Sequence, residues 1–431
     1  MDRELYFPEA RKISFNSFIT SITILLCLFG YPIFAAIISI FVGDAAFLTD
    51  SSIYTWPYRG ASVVFFFISL FFVKRNAIKM NWKIALLFVF LIMHFFRTFY
   101  DLEVRDISEF SGSLLAWRTD VSRFRTWNYV ILLTALPLLA VYRTFYNADF
   151  SRILNWIIVL STIGLVVSIF RMKNYGISLY GYDSVQRANA TDLLNTISYG
   201  HLGASLAILS LYKILSKRIN GISFLYILTF LLGMFVLLRA GSRGPVLAIA
   251  VVLFVWWCAR SYYAFFAFFG FSAFLGCAYF FKETVFNLLM KVSPVLVNRI
   301  SLTLEYGDTS GRDYLMMNVV NKIMENPLFG VQTDQLGYSH NAILDGFMMF
   351  GVVAGWIVFV LYAAAFIDAY KMIKLKTPNY WLGLLAIQYF TATQTSGALG
   401  GNCQVLLLML IVYAVSNHLK NTEVQMQRNG A

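Results

Sequence analysis

"GYSHNAILDGFMMFGVVAGWIVFVLYAAAFIDAYKMIKLK", residues 337–376, begins in a polar loop, runs through a long apolar stretch and closes on three lysines. Its only acids are Asp345 and Asp368, one near each end. A helix crosses a hydrocarbon core of ~30 Å with ~20 apolar residues, so this stretch predicts a membrane span over about 341–368. Working outward, eleven further runs read the same way: about 18–42, 60–73, 82–96, 127–142, 153–169, 199–212, 222–238, 245–259, 262–281, 380–394 and 403–417. The chain of 431 residues is 59% hydrophobic and 13% charged, whereas a soluble domain is nearer a quarter charged. The expected fold is an all-α polytopic membrane protein of about twelve transmembrane helices, one integral membrane domain over 1–431. The runs are continuous rather than alternating, which excludes an outer-membrane barrel. The first run is too long for a signal-peptide core and no small-residue cleavage site follows it, so it reads as a retained span.

Lysine and arginine set orientation. With both termini on the inner side, the loops "KRNAIKMNWK" (74–83), "KILSKRIN" (213–220) and "KMIKLK" (371–376) fall inside, and so does the net charge of +12. That places the termini in the cytoplasm. The basic balance is then a topology signal facing membrane lipid, and a nucleic-acid partner is excluded. Cys27, Cys258, Cys277 and Cys403 sit in or beside apolar runs and imply no disulfide framework or zinc site. Inner loops are short and outer segments long. The longest, 282–340, exceeds a plain connector and reads as a large periplasmic loop carrying amphipathic helices.

The chemistry therefore sits outside. "RAGSRGP" (239–245) places Arg239 and Arg243 around a Gly/Ser turn where a span opens. Pro245 suits a helix's first turn, and a helix N-terminus beside two guanidiniums is an anion site. "EYGDTSGRDYLMMNVVNKIMENPLFG" (305–330) predicts an amphipathic helix with Leu315, Met316, Val319, Val320 and Ile323 on one face. Ser310 and Asp313 make a capping-box-like start. Arg312 falls in the first turn, where the helix dipole repels a cation unless an anion is present. His340 is one of four histidines and precedes a span; imidazole exchanges protons near neutrality. Asn341 could orient a sugar or the ring, Tyr338 lies beside them, and Asp345 follows about one turn on. His201 is a weaker second candidate. In the outer loop "FFRTFYDLEVRD" (95–106), Arg97, Asp101 and Arg105 suit phosphate and sugar. Asp101 with Glu103 is a three-residue metal-pair pattern with nothing else metal-like nearby, so no metal site is assigned.

No Walker motif, H-E-x-x-H or serine-triad spacing occurs, and no acid lies deep in a span, as an ion-coupled transporter would need. "GSRGP" (241–245), "SGR" (310–312), "NPLFG" (326–330) and "SHNAILDGFMMFGVVAG" (339–355), in that order, resemble the O-antigen polymerase and O-antigen ligase family of bacterial membrane glycosyltransferases. The resemblance covers about 230–370. It implies an undecaprenyl-diphosphate-linked oligosaccharide as substrate at the periplasmic face, no cofactor, no nucleotide and no divalent metal. It implies catalytic roles for Arg243, Arg312 and His340, with Arg239, Asn341, Tyr338, Arg97, Asp101 and Arg105 as substrate-binding candidates. The expected function is a repeat-unit polymerase, with a chain-length regulator protein as a candidate partner. The alternatives are a ligase that transfers glycan to lipid A core, and a flippase or exporter of lipid-linked oligosaccharide.

Overall fold

The computed structural model describes residues 14–38, 52–105, 123–171, 173–177, 185–189, 194–216, 221–260, 280–307, 311–333, 339–397 and 403–429, with a few positions between 269 and 277 and at 399. Helix dominates, and among the described residues six helices are long and apolar enough to cross a membrane: Phe15–Ile38, Trp82–Val104, Asn128–Asn147, Phe150–Phe170, Arg243–Arg260 and Ala342–Lys374. Ser223–Arg239 and Cys403–Leu419 are shorter apolar helices. Many large side chains face outward, among them Phe72, Phe96 and Val353. Such a surface is costly in water and suits lipid. Among the described residues the one sheet is a small antiparallel hairpin, Lys173–Ile177 with Val185–Asn189, which the all-helical expectation did not include.

The chain forms two compact units. One contains 29–61 and 150–309. In it Thr196–Ser216 and Gly221–Arg239 cross closely because Gly203 and Gly233 face each other: a Cβ on Gly203 would sit 2.8 Å from the Gly233 carbonyl oxygen. Small residues at a crossing let backbones approach and gain dispersion contact in an apolar solvent. Pro245 lies in the first turn of Arg243–Arg260, as expected, and packs on Gly200.

The other unit contains 1–28, 62–149 and 310–431. Cys403–Asn429 over its apolar part and Tyr380–Ser396 are buried on nearly every side, so they form the centre. Around them lie Trp82–Phe99 and Ala342–Lys374. Lys83 Nζ reaches Asp368 Oδ2 at 2.6 Å, and the Asp368 side chain is wholly buried. The acid expected near a span's end is therefore an internal partner between two helices. Tyr413 Oη donates to the Leu361 carbonyl at 2.6 Å.

The single span expected over 341–368 is two helices. Gly351 breaks Ala342–Lys374 with φ 75° and ψ 177°. A Cβ on Gly355 would lie 2.8 Å from Phe347 Cα, and one on Gly346 would lie 2.7 Å from Val358. In a continuous helix residues eight apart are ~12 Å apart, so 342–350 folds back along 352–374. Phe347 and Trp356 meet edge to face across this hairpin. At 1.5 Å per residue 352–374 is about 34 Å long and can span by itself; 342–350 is a half-helix of about 13 Å. The segment "NPLFG" closes the break. Val352 N donates to the Pro327 carbonyl at 2.6 Å, and Val331 N donates to the Met348 carbonyl at 2.7 Å. Gly330 and Gly351 both take positive φ and lie against the opposite backbone. Apolar surroundings leave no water for the freed backbone groups, so this cross-bonding is what makes the break tolerable.

Arg312–Glu325 docks on the half-helix. Val319 and Ile323 bury against Met348, with Leu344 and Phe347 alongside. Leu315 and Met316 are half-buried as the amphipathic pattern predicts, but Val320 is exposed. The helix starts from Gly311 in the left-handed conformation, with no side-chain cap. The capping-box-like start expected of Ser310 and Asp313 rests on Ser310, which lies outside the described residues.

Candidate functional site

His340 sits at the start of the half-helix in an unusual backbone state. Its φ is 65°, and among the described residues Lys376 is the only other non-glycine with positive φ. A left-handed non-glycine costs about 1–3 kcal/mol and persists only where neighbours impose it. The neighbours are Ser339, Asn341 and Asp345. Ser339 N and Oγ both donate to Asp345 Oδ1, at 2.6 and 2.7 Å. Asn341 N donates to Ser339 Oγ at 3.1 Å, and the Asn341 side chain caps the helix by accepting from Leu344 N at 3.0 Å. Ser339 and Asp345 are buried, so 339–341 is pinned to the first turn of the half-helix on both sides of His340.

The ring meets the end of another helix. Asn341 Nδ2 donates to the Gln394 carbonyl at 3.4 Å, and His340 hydrogen-bonds to the Ser396 backbone. Tyr380–Ser396 thus ends on side chains from the half-helix, which cover carbonyls that a helix C-terminus leaves open. Burial pushes the His340 pKa below its ordinary value, and the Arg312 charge lowers it further; the Ser396 bond pulls partly back. Arg312 is therefore near enough to act on the imidazole. Its helix and the half-helix lie side by side, with their positive N-terminal ends toward the same place. A neutral imidazole, a guanidinium and two helix N-termini can hold an anion and take a proton.

Two predictions test this electrostatic picture. The folded His340 binds its proton less tightly than the unfolded value of about 6.5. Between that value and its lowered folded pKa the unfolded chain binds more protons. Stability from this residue is thus present above about pH 6.5 and is lost as pH falls through the window. Arg312→Gln removes the repelling charge, so the His340 ring resonance in histidine-labelled protein should titrate at higher pH than in wild type. An unmoved titration would mean that the two groups do not interact.

Arg239 and Arg243 belong to the unit that contains 150–309. Arg243 begins Arg243–Arg260, again a cation in a helix's first turn. It donates to Thr303 Oγ1, and to the Arg299 carbonyl at 3.4 Å. Arg299 is buried and donates to the Gly241 carbonyl at 3.3 Å. The turn 240–242 is thereby held against Pro294–Tyr306. Arg299 is a second guanidinium at this turn that sequence reading passed over, since "VNRISL" resembles any amphipathic helix face. Arg239 ends its helix, half-buried.

Arg97, Asp101 and Arg105 have a structural task. Asp101 is fully buried and accepts from Arg97 Nε at 2.9 Å and from Thr333 N at 2.6 Å; Arg105 Nη1 lies 3.4 Å away. Arg97 also donates to the Phe329 carbonyl at 3.0 Å and Arg105 to the Val331 carbonyl at 2.7 Å. The cluster clamps 329–333, the segment that closes the Gly351 break. Glu103 turns to Trp127 Nε1 at 2.9 Å, so Asp101 and Glu103 do not converge. Breaking a buried ion pair from one side costs about 3–5 kcal/mol. Asp101→Ala should therefore lower the melting temperature and open 329–333 to protease, with Asp101→Asn milder.

Tyr338 lies outside the described residues. His201 is buried within Thr196–Ser216, in the other unit. No protein-family profile matches the chain, and no curated protein matches it.

Proposed function

We propose that the protein is a repeat-unit polymerase that moves a growing glycan from undecaprenyl diphosphate to a lipid-linked repeat unit at the periplasmic face of a bacterial inner membrane. The observation that carries this reading is the half-buried His340 at the start of the half-helix, within reach of the Arg312 charge. In this scheme His340 takes the proton of the acceptor hydroxyl. The acceptor oxygen bonds to the anomeric carbon as the bond from that carbon to the diphosphate oxygen breaks, with inversion. The electron pair leaves on the diphosphate, where Arg312 stabilises it in a water-poor site. The proton returns from His340 to solvent or to the leaving diphosphate. The ring nitrogen that donates to Ser396 fixes the tautomer, so the other nitrogen carries the lone pair. Arg243 is assigned as a second diphosphate cation and Arg239 as its assistant, both by resemblance.

The test uses purified protein in lipid with its undecaprenyl-diphosphate-linked repeat unit alone, read on a gel. A ladder of lengthening lipid-linked glycan is expected. Transfer only after lipid A core is added would make the protein a ligase. Movement of the lipid-linked sugar across the bilayer without either reaction would make it a flippase. The Lys83–Asp368 pair does not favour that last reading, because its two charges compensate each other.

A further inference from the structure

The last turn of Tyr380–Ser396 carries hydrogen-bonding atoms that the fold leaves over. Both side-chain amide atoms of Gln394 and the hydroxyl of Ser396 are buried and find no hydrogen-bond partner among the described residues. Their neighbours behave differently. Thr391, Thr393 and Thr395 each donate back to a carbonyl of their own helix. Buried polar groups are nearly always paired with protein or water, so two exceptions in one turn call for a reason. The turn is also where the proposed chemistry converges: the Gln394 carbonyl receives Asn341 Nδ2, and the Ser396 backbone bonds His340.

We propose that Gln394 and Ser396 form a subsite for the hydroxyl groups of a saccharide, next to the His340 ring. An amide supplies two donors and an acceptor, and a hydroxyl supplies one donor and two acceptor lone pairs. Together they match adjacent sugar hydroxyls, which both give and take hydrogen bonds. Neither group is charged, so they would not select the diphosphate; that selection falls to Arg312. The subsite thus separates recognition of the sugar from recognition of the lipid anchor. The identity of the saccharide carrier rests on the polymerase reading, but the subsite does not need turnover.

The experiment measures binding of two probes to purified protein in nanodiscs: undecaprenyl diphosphate carrying the repeat-unit oligosaccharide, and undecaprenyl diphosphate without sugar. Wild type should bind the first more tightly. Gln394→Leu should weaken that binding at least tenfold and leave the bare lipid unchanged. Ser396→Ala should act in the same direction by about threefold, which keeps the test alive if the leucine variant fails to fold. Thr395→Val, whose hydroxyl is already bonded within the helix, should bind both probes as wild type does. Equal loss on both probes would overturn the subsite, and so would unchanged binding, which would assign the amide to buried water. A ladder with normal KM in Gln394→Leu would sink the subsite and spare the polymerase. Selective loss of glycan binding without any ladder would do the reverse.

Discussion

Arg312→Ala and His340→Ala should each lose the ladder of lipid-linked glycan, by about 10²- to 10⁴-fold in initial rate, while yield and melting temperature stay near wild type. The range is what one proton acceptor, or one preorganised charge aimed at a leaving group, typically supplies. Stability should survive the arginine change because a cation in a helix's first turn works against the dipole. His340 needs a finer set of variants, since its φ of 65° lies in the left-handed region, which alanine adopts less readily than histidine. Glycine and asparagine tolerate that conformation, so His340→Gly and His340→Asn separate loss of the ring from loss of the turn. Added imidazole should partly restore His340→Gly. The doubly substituted protein should be little worse than either single one, because residues acting as a unit are not additive. Turnover of His340→Gly within threefold of wild type would remove histidine from the proton-transfer step.

Gly351→Ala should abolish well-folded protein, seen as loss of the monodisperse peak on size exclusion in detergent. The position has φ 75° and ψ 177°, and a Cβ there would run into the Leu328 and Pro327 carbonyls. A side chain in this region, which is essentially reserved to glycine, adds strain of about 1–3 kcal/mol. It also pushes on the segment that makes the two backbone bonds across the break, each worth ~1 kcal/mol and more when a buried group is orphaned. A total of about 4 kcal/mol is a large part of the 5–15 that holds a domain. Gly330→Ala should fail for the mirror-image reason. Gly60→Ala is the control: nothing lies within 4 Å of its Cβ position and it sits in a helix, so it should be neutral or slightly stabilising. Normal folding of Gly351→Ala would mean that 342–350 does not fold back.

Apolar length alone located the helices well, because a bilayer demands long apolar runs wherever they occur. The places where Arg243 and His340 precede helices were legible too, from a Gly-Ser turn, a proline and an asparagine cap. The fold-back at Gly351 was not. "MMFGVVAG" is as apolar as any straight span, and only tertiary contact with 327–331 distinguishes a hinge glycine from a packing one. The clamp that Asp101 makes on 329–333 was not legible either, because an acid between two arginines at helical spacing is the same pattern whether it clamps a loop or meets a substrate. Gln394 carried no signal at all: a polar residue near the end of an apolar helix is ordinary. Its interest comes from what it fails to touch.

The Lys83–Asp368 pair has a consequence for how the chain enters the membrane. The partners are 285 positions apart, so during synthesis at ~5–20 residues per second the lysine is made roughly 15–60 s before its counter-ion. A lone charge at the centre of a helix costs insertion about 2.5–3.5 kcal/mol. Lys83 is the second residue of its helix, where a four-carbon stem can hold the ammonium at the water boundary while it waits. The aspartate, too short to reach out in this way, is made last and arrives to a cation already in place. The order of the two charges along the gene therefore lets the longer, more adaptable side chain do the waiting.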